Sequence, residues 1–161
     1  MPGSGVAVLG LGNVLMQDEG IGVHLVNMLA TKYEFDPAIQ LIDGGTTGTD
    51  LLPYFDSNER IMILDAVDFG KKAGHVEVLR NDEILARFKS KLSLHHLGLS
   101  DVLSTLQLLE INPEEICLIG MQPASMELDL ALSESIRLHL ENTLEIILAE
   151  LKKWEISWKR K

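Results

Sequence analysis

Val6-Ala7-Val8-Leu9-Gly10-Leu11-Gly12-Asn13 decides the fold: a short apolar run stopped by a glycine-rich turn has the look of a strand buried on both faces. Downstream, Ile21, Leu25, Met28 and Leu29 share one helical face, so a helix is expected from about Glu19, with Asp18 as its N-cap. A second strand is expected at 39–42, closed by the turn Asp43-Gly44-Gly45-Thr46. A short helix around 49–55 follows, with Pro53 expected to strain it. Ile61-Met62-Ile63-Leu64 is the plainest strand, and it ends in Asp65-Ala66. Strand and helix in alternation spell a layered α/β domain.

After Asp65 the pattern changes. Gly70-Lys71-Lys72-Ala73-Gly74 leads within a few residues to a fourth strand, 75–79. A parallel crossover needs about a dozen residues, so this strand should run antiparallel. A helical stretch at 82–88 and a helix from Ser93-Leu94-His95-His96 through about Leu109 come next. Strand five is expected at 116–120, stopped by Pro123. One long final helix is capped by Ser133 and carries Ile136, Leu140, Leu144, Ile147, Leu148 and Leu151 on one face. No repeat or linker divides residues 1–161, which read as one domain with a mixed sheet and helices on both faces.

Composition narrows the class. A chain of 161 residues buries enough surface for a real core. A single cysteine, Cys117, excludes a disulfide framework or a multi-cysteine metal site. No apolar run reaches the ~18 residues of a membrane span, and the N-terminus lacks a basic signal-peptide region, so a cytoplasmic location is expected. Five of the 14 basic residues lie in the last ten positions, leaving 9 against 23 acids before them. A body so acidic repels phosphate backbones, so nucleic acid is not an expected partner. The basic stretch 152–161 reads as a solvated helix end with a frayed tail.

Gly10-Leu11-Gly12 invites a dinucleotide-binding reading, but the third glycine of that fingerprint is replaced by Leu15. Asp18-Glu19 with Asp65 resembles a phosphoacceptor site, yet no lysine follows strand five. A better reading places Glu19, Asp65 and His95 beyond the carboxyl ends of the strands, where open α/β sheets bind ligands. Two carboxylates and an imidazole suit a borderline ion such as Zn²⁺ or Ni²⁺. Asp65 stands out because an acid ending a buried strand needs a partner, whereas Asp43 ahead of two glycines is as readily a turn former. Cys117 reads as core, and His24, His75 and His139 as surface; Trp154 and Trp158 are expected to cover the end of the last helix.

The stretch from Gly10 to Gly22, GLGNVLMQDEGIG, resembles the opening motif of the nickel–iron hydrogenase maturation proteases, G-x-G-N-x-L-x-x-D-(D/E)-G-x-G. The similarity continues through Asp43-Gly44-Gly45-Thr46, Leu64-Asp65-Ala66, His95-His96-Leu97-Gly98-Leu99 and Ile119-Gly120 with Pro123, in order, to about Leu151. It implies a three-layer α/β/α sandwich around a five-stranded mixed sheet of order 2-1-3-5-4, with strand four antiparallel. It also implies an endopeptidase that removes the C-terminal extension of the hydrogenase large-subunit precursor once nickel is in place. By the resemblance Glu19, Asp65 and His95 take the metal-ligand positions, with His96 the neighbouring alternative because Leu94 stands where the family carries proline. Asp43 falls on a further acid in the cleft, a candidate for proton transfer, and Gly44, Gly45 and Thr46 are expected to line the peptide's path. The nickel belongs to the precursor, though other divalent ions suit the same ligands. A monomer is expected. The rival from another class is a non-catalytic metal-sensing or chaperone-like module on the same scaffold.

Overall fold

The computed structural model describes residues 4–12, 17–45, 51–90, 97–124 and 132–161, with the backbone alone for residues 19, 88–90 and 97–101. In chain order, β1 (Val6–Leu11) leads through a 3-10 turn (Gln17–Gly20) into α1 (Ile21–Lys32), β2 (Tyr33–Asp36), β3 (Gln40–Gly45) and α2 (Leu52–Ser57). Then come β4 (Arg60–Ala66), β5 (Val76–Arg80), α3 (Asp82–Ser90), α4 (Leu97–Leu108) and β6 (Glu115–Met121), before α5 (Glu134–Arg137), α6 (Leu140–Lys153) and β7 (Ser157–Arg160).

The central sheet has the order β3-β1-β4-β6-β5. Counting only its own strands, that is the expected 2-1-3-5-4. The three pairings among β3, β1, β4 and β6 are parallel, and only β5 runs antiparallel, against β6. The short link after β4 forbids a parallel return and so sets the direction of β5, but not its place: β5 pairs with β6 at the sheet edge rather than beside β4, where the short link alone would put it.

Alternation along the strands sorts their side chains into two cores. Val6, Val8, Met62, Leu64, Cys117 and Ile119 meet α1 and α6 on one face. Ala7, Leu9, Ile61, Ile63 and Leu118 meet Leu51, Phe55, Ile84, Val102, Leu103 and Leu106 on the other, where α2, α3 and α4 pack. The crossover from β1 to β3 uses the first face and that from β3 to β4 the second. The crevice between β1 and β4, at their carboxyl ends, is therefore a switch point of the sheet.

Several local expectations give way to tertiary structure. The helix begins at Ile21, its N-cap is Gly20, and no side chain caps it. Pro53 sits at the first turn of α2, where its missing N–H has no helical partner to lose, so it does not strain that helix. The single final helix is two, α5 and α6, separated at Leu138-His139. Lys152 and Lys153 do end α6, but the tail beyond is not frayed: β7 pairs antiparallel with β2, Trp158 opposite Phe35. Trp154, 7% exposed, joins the first core and donates its Nε1–H to Glu115 at 3.1 Å.

Candidate active site

Two glycines bring α1 onto the sheet. A Cβ on Gly22 would strike the carbonyl oxygens of both Leu64 in β4 and Leu11 in β1, and would lie 2.8 Å from the Leu11 nitrogen. A Cβ on Gly10 would strike Gly22 in turn, its carbonyl carbon at 2.9 Å. Bare backbone thus rests on bare backbone at the switch point, and the turn Gln17–Gly20 packs against β4. This is where a third glycine does its work, ten residues after Gly12 rather than three.

Asp65 occupies the penultimate position of β4, only 6% exposed, with its Oδ1 accepting the Ala66 N–H at 2.8 Å. Its strand partner is Gly120. By the alternation of Ile61, Ile63 and Asp65, its side chain leaves the sheet on the face of α2, α3 and α4. The segment joining α3 to α4 carries His95 and His96, and both lie outside the described residues, as does Thr46. The backbone of Glu19 lies in the turn that packs on β4, but its side chain is not among those described. Among the described residues no three of His, Cys, Asp and Glu form a metal-binding group.

Asp43 stands apart from this pair. It is exposed, its Oδ1 accepts the Gly45 N–H at 3.1 Å, and it closes the turn as an Asx side chain does. It lies opposite Gly10, with β1 between it and β4, so its Cα is about 10 Å from the β4 backbone. Alternation with Leu41 puts it on the α1 face, across the sheet from Asp65. Beside it, Gly45 has φ +54° and open space where a Cβ would be, whereas a Cβ on Gly44 would press on Leu11 and Leu51.

Two polar residues hold this end of the sheet together. Asp18 is fully buried and is not the N-cap of α1; its carboxylate accepts the Ala124 N–H, the Ser133 N–H and the Ser133 hydroxyl, each at 2.8 Å. Ser133 spends its hydroxyl there instead of on the start of α5. Gln122, 8% exposed, accepts the Phe69 N–H at 2.6 Å and the Lys71 N–H at 3.3 Å, and donates to Asp68 at 3.2 Å. It thereby fixes the loop that leaves Asp65. Sequence reasoning missed it, although a polar residue directly after an apolar strand was visible at that position.

Cys117 is wholly buried, and burial pushes its thiol up to about 11, so no thiolate nucleophile is present at neutral pH. His75 is no free surface group: it meets Glu77 at 2.9 Å and the Phe69 ring edge-on. His24 is half-buried, its Nε2 covered and without a hydrogen-bond partner. His139 is exposed as expected.

A model of the HycI hydrogenase maturation protease family matches residues 23–150. The chain belongs to the hydrogenase maturation protease family. The hydrogenase 2 maturation protease of Escherichia coli K12 is 38% identical over 148 residues, covering 91% of this chain and 90% of that protein. The solved hydrogenase maturating endopeptidase HybD from E. coli superposes with a TM-score of 0.89 at 34% identity, covering 97% of each chain. The nickel–iron hydrogenase maturation protease HybD from Thermococcus kodakarensis gives 0.75 at 29% identity, over 91% of this chain and 97% of that one. Family membership makes the chain a peptidase.

Proposed function

We propose that this maturation protease cuts the C-terminal extension from the precursor of a nickel–iron hydrogenase large subunit, and does so only after nickel is in place. The observation that carries the reading is the position of Asp65: a buried carboxylate at the switch point of a maturation-protease fold, with the Glu19 turn packed on its strand. Glu19, Asp65 and His95 form the contact set for the nickel that the precursor's cysteines already hold. Carboxylate oxygens and an imidazole nitrogen suit that borderline ion, so the donor set fits. The segment bearing His95 joins two helices on the face from which Asp65 projects, which favours their meeting.

In this reading the metal is part of the substrate. Holding it at the mouth of the crevice places the scissile peptide bond against the enzyme, and positioning is itself a large share of catalysis. A Cβ on Gly45 would meet nothing within 4 Å among the described residues, which leaves that backbone position beside β3 open to a peptide. Asp43, exposed next to that position, is the group assigned to proton transfer at the scissile amide. Glu19→Gln and Asp65→Asn each keep the shape and remove the charge. Either should cut processing of a nickel-loaded precursor by about 100-fold, with folding intact by circular dichroism. Undiminished cleavage by both variants overturns the assignment, and tight binding by the wild type without any cleavage would point to the non-catalytic module instead.

A further inference from the structure

We propose that Asp18 is a positioning residue: its buried carboxylate sets the turn from which Glu19 reaches the precursor's metal. The inference rests on the metal-facing role of Glu19 argued above. The turn Gln17–Gly20 is only four residues long and contains Gln17 at φ +40°, a left-handed conformation that a side-chain-bearing residue holds only when its surroundings impose it. Asp18 supplies that imposition. It is 0% exposed, and three hydrogen bonds at 2.8 Å, to described residues, reach backbone and hydroxyl donors 106 and 115 residues away, just past β6 and just before α5. On the other side of Glu19, Gly22 seats α1 on the carbonyls of Leu11 and Leu64.

The backbone of Glu19 therefore lies between two fixed points, one and three residues distant. An apolar residue would fill the space of Asp18 at lower desolvation cost, but it could not accept from the distant Ala124 and Ser133 donors. A buried carboxylate that accepts from distant backbone and hydroxyl donors is what holding a neighbouring ligand in register requires, as the outer supports of metal ligands do.

The test is calorimetric titration of the intact chain with Ni²⁺ alone, alongside thermal unfolding. Asp18→Asn, which puts an amide N–H₂ among three donors, should weaken Ni²⁺ binding about 10–100-fold, well below its melting temperature. Ser133→Ala removes one of the three bonds without uncapping α5 and should give a smaller loss in the same direction; it serves if Asp18→Asn fails to fold. Glu19→Gln is the reference that loses binding directly. If Glu19→Gln loses binding while Asp18→Asn and Ser133→Ala melt lower yet bind Ni²⁺ as the wild type does, Asp18 is merely structural and the inference is wrong. If the wild type binds no Ni²⁺, or Glu19→Gln binds it unchanged, the metal-facing role of Glu19 falls and this inference with it.

Discussion

Replacing Gly22 by alanine separates the account of this fold from simple helix propensity. Gly22 is the second residue of α1, and an alanine in a helix is ordinarily more stable than glycine by about 1 kcal/mol. Here the added methyl would collide with the carbonyl oxygens of Leu64 and Leu11, backbone atoms of the two strands at the switch point. No rotamer relieves this, because neither obstacle is a side chain. The helix must lift, loosening Ile21, Leu25 and Val26 from the first core. Overpacking of this kind costs about 3 kcal/mol or more, the upper end of its usual range. Set against the propensity gain, the net loss is about 2 kcal/mol or more, a fall in Tm of about 6 °C or more for a chain of this size. Thermal unfolding followed at 222 nm reads it. Because a Cβ on Gly10 would strike the carbonyl of Gly22 itself, Gly10→Ala and Gly22→Ala push on the same contact and should be strongly non-additive in the double variant. A Tm for Gly22→Ala equal to or above the wild type would refute the reasoning.

Three further outcomes follow from named contacts. Gln122→Ala strips the acceptor from the Phe69 and Lys71 N–H groups and should cost about 2–3 kcal/mol in denaturant unfolding, with processing falling as the loop after Asp65 loosens. Asp43→Asn keeps an oxygen for the Gly45 N–H, so its Tm should stay near that of the wild type while cleavage falls about 100-fold; retained cleavage would leave Asp43 a turn former only. Cys117, with its thiol raised to about 11, should resist thiol reagents in the native state at pH 8. The raised value means the folded chain holds that proton more tightly than the unfolded one. Its share of stability is complete below pH 9 and is lost as pH climbs through 11, a loss of about 3 kcal/mol that Cys117→Ala should lack when the two unfolding curves are compared.

The sheet was legible because its strands are short, wholly apolar and punctuated by Gly and Asp, and because the brief link before β5 admits only one direction. What stayed hidden has a common cause: partners far away in the chain. Tyr33-Glu34-Phe35-Asp36 alternates as a strand should, but it becomes one only through β7, which a charge count reads as a loose tail. Asp18 sits where an N-cap would, and nothing local reveals that its donors lie at Ala124 and Ser133. Ser133 is the mirror image, a cap by position whose hydroxyl turns to Asp18. At the site, Asp65 announced itself by its burial at a strand end, whereas the opposite faces of Asp65 and Asp43 emerge only from the register of β3, β1 and β4.

The central claim is that the protease reads nickel in its client before cutting. Incubate the chain with one large-subunit precursor in nickel-loaded and nickel-free forms, and record the intact mass of each over time. The account predicts loss of a C-terminal fragment from the nickel-loaded form alone, abolished by Asp65→Asn. Equal cleavage of both forms would contradict it.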